Sequence, residues 1–273
     1  MPDRAGGETG AYYGRSDEEN RRTRGSGLLE FARIQDILHR FLPPPPKVVL
    51  DVGGGSGPYS CWLARDGYET HLVDPVPKHL DQAHRASTSQ PAHPIASIRE
   101  GDARSLDQDD ESVDVVLLMG PLYHLTSRED RIKALGESNR VLRVGGLVVA
   151  KAINRFASLF DGLTSGHIDD PSFIPILEHD LDEGQHRNPE GHEDYFTTAF
   201  FHRPEELEAE VRDAGFTVKE LVAVQGPSWL AKDFSERWSD SSKRAELLRL
   251  IRMVEGESSL LGVSQHFVVL GQK

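Results

Sequence analysis

A glycine-rich segment that carries an acid is the sharpest chemical feature of the sequence. Residues 48–57 read VVLDVGGGSG, an apolar stretch that runs into a turn. Glycines allow the backbone to approach a ligand closely, and the N-terminus of a following helix offers unpaired amide donors to negative groups. The segment therefore predicts a site for a nucleotide-type ligand.

The spacing of the glycines separates the ligands that use such a turn. The dinucleotide pattern G-x-G-x-x-G fits Gly53 and Gly55, but Pro58 stands at its third glycine. The phosphate-binding loop is also absent, because no Gly-Lys-Ser/Thr follows the turn. The observed spacing is Asp-x-Gly-x-Gly-x-Gly, from Asp51 to Gly57.

With this motif the sequence resembles the class I S-adenosylmethionine-dependent methyltransferases, in particular those acting on small molecules. The resemblance covers residues 45–152 well and the remainder in outline. It implies that Asp51, Gly53, Gly55 and Gly57 hold the methionine part of S-adenosylmethionine, with the carboxylate near the ammonium group. A carboxylate and an ammonium group in contact form a charge-assisted hydrogen bond.

The resemblance also assigns the nucleoside end of the cofactor. It places Asp74, at the end of the second strand, against the ribose hydroxyls, and Asp102 and Ala103 against adenine. A helix-capping role for Asp74 and an Asx-turn for Asp102 are the structural alternatives.

The loop at residues 119–125, MGPLYHL, faces the methyl group in the family. The resemblance adds Met119 to the cofactor residues and Tyr123 to the acceptor site. The Asn/Asp-Pro-Pro-Tyr motif of nucleic-acid amino-methyltransferases is missing, as are carboxylates for magnesium. His124 is a candidate general base, since imidazole titrates near neutrality. It is equally suited to cap the cofactor or to bond a backbone carbonyl.

A histidine- and acid-rich stretch follows at residues 167–202. His186 is a second candidate base, while Arg187 and Tyr195 are candidates for binding the acceptor, Arg187 through a bidentate contact to an anion. No tight metal-ligand spacing appears, so a metal site is not predicted. A solvated polar lid is the alternative for the whole stretch. Its histidines are His167, His179, His186, His192 and His202.

Strands and helices alternate around these motifs. Apolar strands are predicted at 48–52, 70–73, 96–99, 113–119, 147–152, 217–224 and 265–271, with amphipathic helices between most of them. Alternation of this kind predicts an α/β fold with a doubly wound, mostly parallel seven-stranded sheet, similar to a Rossmann fold. One domain over residues 27–273 is expected, with insertions at about 153–200 and 226–262. The first insertion is predicted to begin with a helix at 155–163 and to continue as an irregular polar stretch. A proline at its start and a glycine after its end bound a predicted helix at 204–214.

Both insertions follow strand ends that face the acceptor side in the family. Residues 1–26 are polar and glycine-rich, and we expect a flexible segment that acts as a lid. Tyr12 and Tyr13 are its aromatic residues, and Tyr13 is predicted to contact the cofactor. Packing of both tyrosines on a neighbouring helix is the alternative. Three coverings over one site indicate an enclosed pocket for a small acceptor.

Composition limits the remaining classes of function. The chain has 273 residues, 31 Lys and Arg against 44 Asp and Glu, and a net charge of −13, which argues against nucleic acid as a partner. Its one cysteine, Cys61, allows no intrachain disulfide. No apolar run approaches the roughly 20 residues that span a membrane, and MPDRAGGETG lacks the core of a secretion signal. We expect a cytoplasmic protein.

These observations predict a methyltransferase that uses S-adenosylmethionine, releases S-adenosylhomocysteine, and methylates O or N of a small metabolite. A protein or RNA acceptor is the first alternative. A non-catalytic protein that binds the cofactor is the second. The acceptor, the methylated atom and the presence of a homo-oligomer stay open.

Overall fold

The computed structural model describes residues 26–192 and 194–273. Its centre is a seven-stranded sheet of order β3-β2-β1-β4-β5-β9-β8. The strands are β1 (Val48–Val52), β2 (Glu69–Asp74), β3 (Ser97–Glu100), β4 (Val113–Leu118), β5 (Leu142–Ile153), β8 (Thr217–Ala223) and β9 (His266–Gln272), while β6 (Gln185–His186) and β7 (Ala199–Phe200) pair separately.

Strands β1 to β5 are parallel, and β9 runs antiparallel to both β5 and β8. The C-terminal ends of β1 to β5 and of β8 therefore lie at one edge of the sheet. The mostly parallel seven-stranded prediction is confirmed. This edge is where ligands bind in open α/β sheets.

Helices cover both faces of the sheet. The α-helices are α1 (Ser26–Phe41), α2 (Pro58–Arg65), α3 (Pro77–Thr88), α4 (Pro121–His124), α5 (Arg128–Val141), α6 (Ala157–Ser165), α7 (Phe173–Glu183), α8 (Pro204–Asp213), α9 (Phe234–Ser239), α10 (Ser241–Val254) and α11 (Ser258–Leu261). Short 3₁₀ turns occupy His167–Asp169 and Gly226–Leu230.

Each face of the sheet has its own core. On one face α1 and α2 bury Ile34, Ile37 and Leu63 against β1, β4, β5, β8 and β9. On the other face α5 and α8 pack through residues such as Leu135 and Val211. The burial of β4 on both faces explains why its sequence, VDVVLL, is almost entirely apolar.

The first predicted insertion holds more regular structure than its sequence indicated. Helix α7 lies in a stretch that was expected to be irregular and polar. Its buried face combines Phe173, Ile176 and Leu177 with Asp180, which is fully buried. The carboxylate of Asp180 accepts hydrogen bonds from Ser158 Oγ at 2.5 Å and His186 Nδ1 at 2.8 Å. Because Asp180 is a polar residue on the buried face of α7, the sequence lacks the regular apolar spacing that indicates a helix.

Two further boundaries differ from the predictions. Strand β5 begins at Leu142 rather than Leu147, because Leu142 already pairs with Val113 before a register irregularity. Helix α6 begins at Ala157 rather than Arg155, because Asn154 bridges to His202 and its side chain accepts a hydrogen bond from Phe156 N. Tertiary pairing sets both boundaries.

Candidate cofactor and acceptor site

The glycine turn lies at the C-terminal edge, between β1 and α2. Gly53 donates its N–H to Val73 O at 2.7 Å, which fixes the turn to β2. Its φ of +66° is in the left-handed region, and an added Cβ would lie 2.6 Å from Pro121 Cγ. The backbone thus requires glycine here for two reasons, conformation and close approach.

Asp51 is fully buried beneath this turn. Its Oδ2 accepts a hydrogen bond from Ser60 Oγ, in the first turns of α2, at 2.7 Å. The same oxygen would lie 2.8 Å from a Cβ placed on Gly54. The carboxylate is therefore pressed against the turn, where it can act on an ammonium group lying over the glycines.

Asp74 ends β2 beside the same turn. Its Oδ2 accepts from Gly55 N at 2.9 Å, and its Oδ1 accepts from Val76 N at 2.9 Å and His79 Nδ1 at 3.0 Å. The carboxylate is thus held in place by the turn and by α3. Ribose hydroxyls at this position would donate to the same Asp74 carboxylate that already accepts these hydrogen bonds from the protein.

Asp102 follows β3 at the same edge and leaves 46% of its side chain exposed. Arg104 Nη2 donates to Asp102 Oδ2 at 2.6 Å, and this hydrogen bond holds the pKa of the Asp102 carboxyl below its usual value. The acid therefore stays ionised and accessible, as an acceptor for an amino group must. Ala103 is buried beside it.

Met119 and α4 continue the edge after β4. Met119 is buried. A Cβ on Gly120 would lie 3.4 Å from Tyr123 Oη and 3.7 Å from Gly53 O, so the hydroxyl and the glycine turn flank this residue. Tyr123 therefore lies beside the predicted cofactor position, as its predicted role in acceptor binding requires.

His124 lies next to it, between aromatic rings. Its ring centroid is 4.7 Å from that of Tyr123 and 5.9 Å from that of Phe196, which belongs to the first insertion. The structure thus places His124, the first candidate base, against Tyr123 and against Phe196 of the first insertion.

His186 has partners inside the protein at both ring nitrogens. Nδ1 contacts the buried Asp180 at 2.8 Å and Nε2 contacts Phe196 O at 3.1 Å, and the ring stacks on Phe201. Both ring nitrogens are therefore engaged by groups of the first insertion, which supports a structural role for His186. Its predicted role as a base stays a prediction.

Arg187 and Tyr195 also bond within the first insertion. Arg187 donates to His186 O at 2.9 Å and to Gln185 Oε1 at 2.5 Å. Tyr195 is buried and its hydroxyl donates to Asp170 Oδ2 at 2.6 Å. Their predicted contacts to the acceptor stay predictions. Tyr13 and Tyr12 lie outside the described residues.

Sequence reasoning missed a buried polar cluster at the same edge. Lys151 of β5 is 5% exposed and forms an ion pair with Glu30 of α1. Its Nζ lies 5.9 Å from the ring centroid of Tyr123. The available signal was a lysine inside the apolar run LVVAKAI, which a buried strand tolerates only with a partner.

Across residues 26–192 and 194–273, no three His, Cys, Asp or Glu side chains come together as a possible metal site. Over the same residues, no helix has the length and apolar character needed to span a membrane.

Residues 50–150 match a family model described as "Methyltransferase domain". This match covers the glycine turn, the three acids and the loop after β4. Over these residues the chain carries a methyltransferase domain, in agreement with the predicted class I S-adenosylmethionine-dependent methyltransferase. The cofactor of this methyltransferase domain is S-adenosylmethionine, and the turn that only glycine fits provides the close backbone approach it needs.

Individual relatives agree with the family match. An uncharacterized methyltransferase of Mycobacterium tuberculosis is 36% identical over 111 residues, 41% of this chain and 42% of that protein. The ubiquinone biosynthesis O-methyltransferase of Azorhizobium caulinodans is 30% identical over 176 residues, 64% of this chain and 61% of that protein. The match thus spans about two fifths of the first of these methyltransferases.

Solved methyltransferase structures share the fold. A SAM-dependent methyltransferase from Methanosarcina mazei superposes with a TM-score of 0.59 at 20% identity, covering 87% of this chain and 96% of that one. A possible histamine N-methyltransferase from Thermotoga maritima gives 0.56 at 20% identity, covering 96% and 99%.

Proposed function

We propose that this chain transfers the methyl group of S-adenosylmethionine to an oxygen or nitrogen atom of a small molecule. The observation that carries the proposal is the grouping of Asp51, Asp74 and Asp102 at the C-terminal ends of three neighbouring strands, around a turn that only glycine fits. By the resemblance, these three acids correspond in turn to the ammonium group, the ribose and the adenine of the cofactor.

The cofactor supplies a methyl group already activated by a sulfonium, so the protein must chiefly align the acceptor with it. Asp51 would hold the ammonium, Asp74 the ribose and Asp102 with the backbone of Ala103 the adenine. Met119 would contact the cofactor and Tyr123 the acceptor.

A small acceptor is supported by the elements above this edge. Residues 154–203 follow β5 and return to it, since Asn154 bridges to His202 and Arg155 donates to Phe201 O at 2.8 Å. Phe196, from the same segment, packs against Tyr123 and His124. The segment thus lies over the loop that faces the acceptor, as an enclosing lid would.

Two measurements test the proposal. Titration calorimetry with S-adenosylhomocysteine should show binding, and radiolabelled S-adenosylmethionine incubated with a cell extract should label the small-molecule fraction after separation by size. Label only in protein or RNA would replace the acceptor class, and failure to bind the cofactor product would refute the whole proposal.

A further inference from the structure

The ion pair of Glu30 and Lys151 lies at the candidate acceptor site and has no role in the assignments above. In β5, Lys151 directly follows Ala150, which pairs with Leu118 of β4, so Lys151 and Met119 lie at the same level of the sheet. Leu118 in turn pairs with Val52, the residue before Gly53. Lys151 is thus one strand away from the loop that faces the methyl group.

Aromatic side chains surround the pair. The ring centroid of Tyr123 lies 5.9 Å from Lys151 Nζ, and Tyr59 also acts on the charge of Lys151. Phe31, which follows Glu30 in α1, packs on the Tyr59 ring at 5.2 Å between centroids. Tyr59 itself belongs to the first turn of α2, directly after the glycine turn. Two phenol rings and two opposite charges therefore converge beside the cofactor turn.

Such a pair costs stability. Removing two charges from water carries a penalty of several kcal/mol per ion, and apolar side chains of the same volume often stabilise a protein as well or better. The neighbours on this face of β5 are apolar. A buried ion pair at a ligand edge is therefore a candidate for a functional role.

The charge state of Lys151 determines which chemical role the ion pair can have. Burial alone would lower the pKa of its ammonium, but Glu30 and the two tyrosines outweigh burial and raise it. Lys151 is therefore a permanent cation, which cannot accept a proton but can stabilise negative charge on a neighbouring oxygen. Glu30 is the member of the pair that can accept a proton.

On the basis of the proposed function, we propose that Glu30 and Lys151 hold the reacting hydroxyl of a phenol-class acceptor. The hydroxyl donates to the Glu30 carboxylate and its oxygen accepts from Lys151 Nζ. As the oxygen forms its bond to the methyl carbon, the carbon–sulfur bond breaks and its electron pair stays on sulfur. The hydroxyl proton passes to Glu30 and then to water.

An amine acceptor fits this pair less well. Amines are largely protonated at neutral pH, and a second cation beside Lys151 would be repelled in a buried site. Among the described residues, Glu30 forms an ion pair with Lys151 of β5, and His266 Nδ1 of β9 lies 3.9 Å from Glu30 Oε2. Tyr59 of α2 and Tyr123 of α4 act on the charge of Lys151. His266 Nδ1 in turn accepts from Gln225 Nε2 at 2.8 Å, so it contributes no proton to Glu30 from that atom.

The decisive variants are K151M, E30Q and their combination. Each single change leaves an uncompensated buried group and is expected to lower the melting temperature, whereas the double variant removes both charges and should recover it. Transfer to catechol should fall about 100-fold in all three, the usual scale of general acid–base assistance. Affinity for S-adenosylhomocysteine should stay within about threefold, because neither residue is assigned to the cofactor.

K47M is the matched control. Lys47 also forms an ion pair with an acid, Asp114, but its side chain is partly exposed, and neither residue is assigned to the site. K47M should retain both melting temperature and transfer. Recovery of transfer together with melting temperature in the double variant would show that the pair is only structural, and would overturn the proposal.

The acceptor class is tested with para-nitrophenol, catechol and benzylamine. Labelled methyl should pass to the phenols, and para-nitrophenol should bind to the wild-type protein with S-adenosylhomocysteine, seen as a shift of its absorption band that K151M abolishes. Transfer to benzylamine alone, or to none of the three while the cofactor binds, overturns the phenol inference and leaves the proposed function standing. Failure to bind S-adenosylhomocysteine would refute both the phenol inference and the proposed function.

Discussion

Single residues define the cofactor side of the site through space as much as through charge. Gly53 has room for no side chain, and Asp51 lies under the turn with its carboxylate bonded to Ser60. The two residues act together, because the turn brings the backbone close to a ligand and the acid supplies the charge that the ligand's ammonium needs.

Replacing Asp51 by Asn should weaken binding of S-adenosylhomocysteine by roughly 10- to 100-fold, because a hydrogen bond to a charged group contributes about 1.5–3 kcal/mol. The change keeps the size of the side chain and an acceptor for Ser60 Oγ. Calorimetry measures the loss, with D110N as a control at an exposed acid that pairs with Arg140. Unchanged affinity in D51N would remove this residue from the cofactor site.

Replacing Gly53 by Ala should lower the free energy of unfolding by about 1–3 kcal/mol, since the new Cβ meets Pro121 and the backbone is left-handed. Gly136→Ala is the matched control. Gly136 lies inside α5 with no atom within 4 Å of an added Cβ, so alanine there should stabilise by about 0.5–1 kcal/mol. Urea unfolding measures both, and equal effects would contradict the strain assigned to Gly53.

At the scale of elements, buried arginines fasten the first insertion to the sheet. Arg155 donates to Phe201 O, Asp182 O and Glu206, which ties both ends of the insertion together. Arg131 of α5 stacks on Phe200 at 3.7 Å and bonds Glu210 of α8. The segment over the acceptor loop is therefore held by charged hydrogen bonds in addition to apolar packing.

Replacing Arg131 by Met should lower the free energy of unfolding by about 3–5 kcal/mol, because it leaves the buried Glu210 without its main charge partner. R249M serves as the control, since Arg249 pairs with Glu246 on the surface and its loss should leave stability nearly unchanged. Thermal unfolding measures both variants. A small effect of R131M would mean that His202 and Arg128 suffice to hold Glu210.

At the scale of the whole molecule, the net charge of −13 divides between surface and interior. Asp51, Asp180 and Glu210 are each at most 2% exposed, and each meets a donor from another element. Buried carboxylates and histidines of this kind link the stability of the fold to pH.

The pair of His202 and Glu210 sets the direction of this dependence. Burial lowers the pKa of the His202 imidazole, so below about pH 6.5 the unfolded chain binds a proton that the folded chain does not, and stability falls. Although burial raises the pKa of Glu210, His202 and Arg131 bring it below its usual value, so its contribution is lost below about pH 4.5.

The free energy of unfolding should therefore decline from pH 7 to pH 5, with a slope of up to about 1.4 kcal/mol per pH unit for one histidine, and the melting temperature should fall with it. H202N should flatten this part of the profile. His39→Asn, at a ring 60% exposed beside Asp66, is the control that should not. An equally steep profile in H202N would assign the effect to other groups.

Periodicity was sufficient for the regular part of the fold. The apolar runs of β1, β2 and β4 and the proline and glycine that bound α8 placed these elements within one or two residues. It was insufficient where polar residues are buried. Helix α7 and the roles of Asp180 and His186 depend on a partner distant in sequence, which no local pattern reveals.

The sequence by itself indicated the family and the cofactor through its resemblance to known methyltransferases, in which a glycine turn and three acids at strand ends lie in a fixed order along the chain. Only the tertiary structure decided which side chains meet beyond that edge. It joined Glu30 to Lys151 across 121 positions and gave His186 partners at both nitrogens. Packing of distant elements sets such contacts, since burial forces each polar group to find a partner in three dimensions.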